Sequence, residues 1–233
     1  MQKIGLLKKI LILGLILALP GFLYYLLTAK GKNRYKPLPI YGPKQVAKTG
    51  HKFHGQFIPD TIFHKLDDFK LIDQDGKPVS FKTFDKKIFV VNFFYTHGPQ
   101  LVNQVNASVD SLAVTYAKNK MVYFVSVTVD PQRDQGNVLK SYADQNKPTS
   151  AKRLFLTGDT TSIYNLARKG LLVDALQAGK DEFIYSNQLI LIDSEKRIRG
   201  YYSPVLTDDV VRLTDEIKVL IAEELRKNDK PLY

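Results

Sequence analysis

Residues 88–95 read Ile-Phe-Val-Val-Asn-Phe-Phe-Tyr, apolar at nearly every position rather than at alternate ones. A strand with one wet face alternates, so a continuous run of this length belongs to a strand covered on both faces. Covering both faces of a sheet takes helices on either side, which restricts the chain to layered α/β architectures. The flanking sequence supplies them. Pro99 opens a helical pattern with Val102, Val105, Val109, Leu112 and Tyr116 on one side. Residues 122–129 form a second strand rich in β-branched side chains, ended by Asp130-Pro131 and followed by a helix carrying Val138, Leu139 and Tyr142. Residues 154–156 make a further strand, ended by Gly158, and Thr160 or Thr161 is placed to cap a helix with Ile163, Leu166 and Ala167. Residues 183–192 and 198–202 read as a hairpin around a polar turn. Thr207 caps a last helix with Val210, Leu213, Ile217, Leu220 and Leu225 on one face. Upstream, residues 69–73 enter the turn Asp73-Gln74-Asp75-Gly76, which lacks the third acidic or Asn position of a calcium loop and reads as a hairpin turn. This order predicts an α/β thioredoxin-like domain over residues 66–233, a central mixed sheet flanked by helices.

The N-terminus obeys a different rule. Residues 10–27 are 18 uncharged, mostly aliphatic positions interrupted by Gly14, Pro20 and Gly21. As a helix they span about 27 Å, roughly one hydrocarbon core, with Tyr24 and Tyr25 near one end. Residues 1–29 are therefore expected to be a single transmembrane anchor, with a cleaved signal peptide as the competing reading. Either places the remainder outside the cytoplasm if the N-terminus stays in, and the anchor holds it at the cell membrane, facing the periplasm or its extracytoplasmic equivalent. The formal charge of +11 supports this division. Residues 1–36 carry seven bases and no acid, leaving only +4 on the other 197 positions. A basic patch for nucleic acid has little left to stand on.

Residues 30–65 hold Pro37, Pro39, Pro43 and Pro59 without clear periodicity and read as a tether, with a short ordered stretch around residues 53–57. They contain His51, His54 and His64. The His51–His54 spacing could hold a metal ion loosely, at a large ordering cost in a tether. The chain has no cysteine. Disulfides, thiolate metal sites and cysteine nucleophiles are excluded.

The segment Phe93-Phe94-Tyr95-Thr96-His97-Gly98-Pro99, followed by residues 125–134 (Ser-Val-Thr-Val-Asp-Pro-Gln-Arg-Asp from Ser126), resembles the Sco/SenC family. Residues 138–143, 156–158, 191–193 and 199–201 continue the resemblance, which spans about residues 66–225. It implies a membrane-anchored thioredoxin fold that binds copper and helps to mature the copper centre of cytochrome oxidase. The family's site uses a C-x-x-x-C pair after the Phe-rich strand and a distant histidine before a late strand. On this chain those positions fall at Gly98, Val102 and Tyr185. None offers copper(I) the soft sulfur or the imidazole that suits it.

The resemblance and the replacements together imply a non-catalytic, non-redox accessory without cofactor, with a protein partner in respiratory oxidase assembly. Two other readings stay open. Metal ligands could have moved to His97 and the linker histidines, or His97 and Asp130 could act as an acid–base pair. The bland roles are a solvated loop for His97, a turn-forming Asp130, a local surface ion pair for Arg133 with Asp134, and packing for Tyr201 and Tyr202. A methionine-rich site is excluded, since only Met1 and Met121 exist.

Overall fold

The computed structural model describes residues 5–29, 37–146 and 152–228. It divides into two units, residues 1–36 and 37–233. In the first, α1 (Leu6–Ala29) runs for 24 residues with Pro20 inside it. Among the described residues no helix is both long and apolar enough to cross a membrane. The side chains of residues 6, 7, 10 and 27–29 lie outside the described ones, so the span expected over residues 10–27 falls partly there.

The second unit is built around β5 (Ile88–Phe94), whose seven residues are all buried. It pairs in parallel with β6 (Val122–Thr128), and β6 with β7 (Arg153–Thr157). Antiparallel strands complete the sheet. β10 (Leu189–Ile192) and β11 (Ile198–Tyr202) lie beyond β5, while β3 (Leu71–Asp73) and β4 (Pro78–Val79) lie beyond β7. The mixed sheet expected from the sequence is present, in the order β11-β10-β5-β6-β7-β3-β4.

Alternate residues of β5 feed two cores. Ile88 and Val90 pack with α2 (Gln100–Thr115) and α5 (Thr207–Asn228) through Val105, Val109, Leu112, Leu213, Ile217 and Leu220. Phe89, Val91 and Phe93 face the opposite layer, where α4 (Thr160–Asn165) runs into a π-helical turn over Leu166–Gly170. A third cluster joins Phe94, Val102 and Phe155 to α3 (Gly136–Gln145) through Leu139 and Ala143. Leu225, expected on the apolar face of the last helix, is exposed near the helix end.

Several local expectations change. Asp159 caps α4 by accepting from the Ser162 N–H at 2.8 Å, one position before the two threonines. The segment 183–192 is two strands, because β9 (Phe183–Tyr185) leaves the main sheet to pair with β8 (Ala175–Gln177). The largest difference concerns residues 30–65. Residues 44–63 form a hairpin of β1 (Lys44–Phe53) and β2 (Gln56–Phe63). His54 and Gly55 turn it, both at positive φ (47° and 83°), as a two-residue turn between right-twisted strands requires. Neither face of this hairpin is buried, so its sequence carries no alternation to betray it. Residues 38–41 are likewise built in. Arg199, 2 % exposed, donates to the Leu38 and Pro39 carbonyls at 2.7 and 3.1 Å, and to Asp193 and Glu223. Tyr41 then bridges to Ile198 on the edge strand.

A polar layer crosses the interior beneath α2. Arg153 of β7 donates to Asn106 at 2.6 Å and Ser126 at 3.2 Å, pairs with Asp110, and lies 4.5 Å from the Phe155 ring centroid. Ser126 donates in turn to Asn92, the one polar residue of β5. Burial holds the Asp110 carboxyl above its ordinary range despite Arg153, the mark of a pair that costs desolvation. Such pairs are costly to break from the buried side. Arg153→Ala is expected to lower stability by about 3 kcal/mol, since it strands Asn106 in the interior. Asp110→Asn, at a site partly open to water, is expected to cost about 1 kcal/mol. Denaturant midpoints at constant slope would check both.

Candidate functional site

The carboxyl ends of β5 and β6 meet where α/β proteins usually place their chemistry. After β5 the chain turns through residues 95–99, closed by the Gly98 N–H donating to the Tyr95 carbonyl at 3.0 Å, and enters α2 behind Pro99. This turn is held from below. Asp134, fully buried, accepts from the Thr96 N–H at 2.9 Å, the Thr96 hydroxyl at 2.5 Å and the Thr128 hydroxyl at 2.6 Å. Thr128 ends β6, so one carboxylate ties both strand ends to one loop.

That arrangement corrects the reading of Arg133 and Asp134 as a local pair. Adjacent side chains on a helical turn diverge, and the Asp134 N–H bonds back to the Asp130 carbonyl at 2.9 Å, turning its carboxylate inward. Arg133 points the other way, to Asp181 and, at 3.6 Å, to Asp130. Asp130 is buried. Its backbone carbonyl accepts from Arg133 and Asp134, as a turn-forming residue should, and burial followed by the Asp134 charge pushes its carboxyl up.

His97 is exposed, and its Nδ1 lies 3.0 Å from the Thr96 hydroxyl. That hydroxyl has a single proton, already donated to Asp134, so it can only accept from the ring. Nδ1 therefore carries the hydrogen, which in the neutral tautomer leaves the lone pair on Nε2. His97 thus has a hydrogen-bond partner in Thr96, and it also stands close enough to Asp130, the other acid–base candidate, for its charge to act on that carboxyl.

The three positions singled out by the resemblance converge on this region. Gly98 and Val102 touch across the first turn of α2: a Cβ built on Gly98 would meet Val102 Cγ2 at 2.4 Å and the Tyr95 carbonyl oxygen at 3.0 Å. Val102 is itself core, packed with Phe94, Leu139 and Phe155. Tyr185 sets its ring edge-on to Tyr95 at 5.8 Å, and Tyr95 packs on Phe183 at 5.1 Å. Burial, reinforced by Tyr95 and Tyr142, pushes the Tyr185 phenol well above its ordinary range, so it stays neutral.

The other histidines lie apart from one another in role. His51 sits on β1, 3.6 Å from Asp60, while His54 forms the hairpin turn with its ring 4.3 Å from Phe53. His64 is spent on the Gly170 carbonyl at 2.7 Å. Among the described residues, no group of three or more His, Cys, Asp or Glu stands close enough to hold a metal ion. Tyr202 is buried with its hydroxyl on Glu216, and Tyr201 bonds the Leu171 carbonyl at 3.0 Å, both packing roles.

The sheet order, the flanking helices and the strand-to-helix turn at Gly98 define a thioredoxin-like α/β protein. Within that class, the SCO1/SenC family model matches residues 61–222, and the chain belongs to this family. It is 27% identical over 164 residues to the SCO1 protein homolog of Bacillus subtilis, covering 67% of this chain and 84% of that one. Among solved structures it resembles a SCO1/SenC family lipoprotein from Bacillus anthracis, with a TM-score of 0.63 and 23% identity over 68% of this chain and 95% of that one. It also resembles Arabidopsis thaliana ScoI, solved with copper bound, with a TM-score of 0.56 and 24% identity over 69% and 98% of the two chains.

The Gly98–Val102 contact yields a sharp expectation. Gly98→Ala is expected to destabilise, whereas Gly98→Ala combined with Val102→Ala is expected to cost less than the two single changes summed. The coupling should be about 0.5–3 kcal/mol, the range for residues in direct contact, read from a double-mutant cycle of unfolding free energies.

Proposed function

We infer that this chain is a membrane-anchored Sco-type protein that serves copper handling or cytochrome oxidase assembly as a non-catalytic accessory, without the copper site that the family resemblance implies. The observation that carries this reading is the contact between Gly98 and Val102, with Tyr185 packed on Tyr95. Where a C-x-x-x-C pair and a histidine are expected, this chain has hydrogen, hydrocarbon and a neutral phenol. Copper(I) has no soft donor there, and thiol exchange has no thiolate to begin it. Such a protein acts by binding an assembly factor or an oxidase subunit. A cleft of about 350 Å³, lined by Tyr185 together with Leu172, Asp174, Ile184 and Gln188, offers a recess for such a contact.

One observation favours a second reading. The Asp134–Thr96–His97 chain places the hydrogen on Nδ1 and so keeps Nε2 of the neutral ring for a metal, the way second-sphere groups prepare a metal ligand. In that reading His97 supplies one ligand to a metal that a partner also holds.

Copper(I) titration of the purified protein against a competing chelator separates the two. On the first reading the chain binds no more tightly than an exposed histidine. The triple change Gly98→Cys, Val102→Cys and Tyr185→His restores tight one-to-one binding. Tight binding by the unmodified chain that is lost in His97→Ala would establish the second.

Anchoring rests on residues 10–27 together with Lys3, Lys8 and Lys9 before them. N-terminal sequencing of membrane-extracted protein is expected to begin at Met1 or Gln2. A start near Lys30 would instead identify a removed signal peptide.

A further inference from the structure

The β1–β2 hairpin has no stated use. Its residues are almost all exposed, and it carries Val46, Phe53, Phe57, Ile58 and Ile62 on the surface, with Phe53 and Phe57 at 59% and 57% exposure. An isolated two-stranded ribbon is marginal in water, and apolar side chains concentrated on one mark a surface meant to be covered. Another strand is a poor cover. β2 carries Pro59, which cannot donate to a ladder, and β1 breaks register between Val46 and Gly50. Gly50 is required at that break, since a Cβ there would meet the Ile58 carbonyl oxygen at 2.3 Å. Both edges are thus blunted against pairing.

The arrangement of charge and aromatics suits a different cover. Phe53 and Phe57 flank the His54–Gly55 tip from opposite faces, and Lys44, Lys48 and Lys52 line β1 against a single acid, Asp60. Aromatic rings at a tip with lysines behind them match the boundary between acyl chains and anionic headgroups. Only seven residues, 30–36, separate α1 from Pro37; fully extended they reach about 25 Å. We propose that the hairpin tip, through Phe53, Phe57 and the β1 lysines, inserts into the anionic surface of the membrane that holds α1. This rests on the anchor reading for proximity alone.

The absence of cysteine makes the test clean. Gln56→Cys in the full chain gives a single thiol at the tip for an environment-sensitive fluorophore, and Val114→Cys on α2 gives a control. Both are reconstituted in vesicles of phosphatidylcholine alone or mixed with phosphatidylglycerol. The label at 56 should shift to the blue and be quenched by nitroxide lipids in the anionic vesicles, while the label at 114 stays water-like. Phe53→Ser with Phe57→Ser should abolish the shift. Lys48→Glu with Lys52→Glu should abolish the preference for phosphatidylglycerol, as should high salt. A water-like label at 56 in anionic vesicles overturns the proposal and points to a protein cover. A carbonate wash of the same vesicles reads the anchor by itself: protein released by carbonate whose label was in lipid refutes the anchor and leaves the tip insertion standing.

Discussion

The guanidinium of Arg153 is the charge around which the interior is organised. Strands β5 and β6 and helix α2 all place a polar group against it or one step away, through Asn92, Ser126, Asn106 and Asp110. A charge in this position is expensive, and the sheet tolerates it because every guanidinium donor but the buried Nε–H meets an acceptor, while the Phe155 ring centroid lies 4.5 Å from the guanidinium carbon. The same layer explains an asparagine in an otherwise apolar strand. Had Asn92 been apolar, Ser126 would lack its acceptor.

Asp134 does at the sheet's carboxyl edge what Arg153 does inside. Three donors from Thr96 and Thr128 fix it, and they in turn fix the turn that presents His97 and Gly98. A carboxylate with three short bonds and no exposure is a rigid support, because moving the loop would strand it. The strand-to-helix turn of this chain is therefore held by groups other than the side chains at positions 98, 102 and 185. Scaffold and ligands are separable, and only the scaffold depends on Asp134.

How far the sequence spoke for itself follows from burial. β5 and β6 and the helices that cover them were readable because burial writes a pattern. The hairpin over residues 44–63 was not, since neither face is buried and backbone pairing leaves no mark on side-chain order. The cap at Asp159 was displaced by one position because Asp and Thr both satisfy an orphan N–H. The candidate positions Gly98, Val102 and Tyr185 rest on the resemblance, since no burial pattern singles them out. What it could not supply was the role of Asp134, whose neighbour Arg133 suggested a simpler pairing; a threonine at an inward-facing strand end was the only hint.

The close approach of Gly98 and Val102 also sets an order on change. A side chain introduced at 98 while valine remains at 102 collides with Cγ2, whereas a smaller residue at 102 leaves only a void beside Phe94 and Phe155. Any side chain larger than hydrogen is therefore accommodated at 98 more readily once 102 has shrunk, a step that the packing around Val102 opposes. The dependence runs one way: valine at 102 makes glycine at 98 hard to replace, and the packing of Val102 on Phe94 and Phe155 resists the change that would free it.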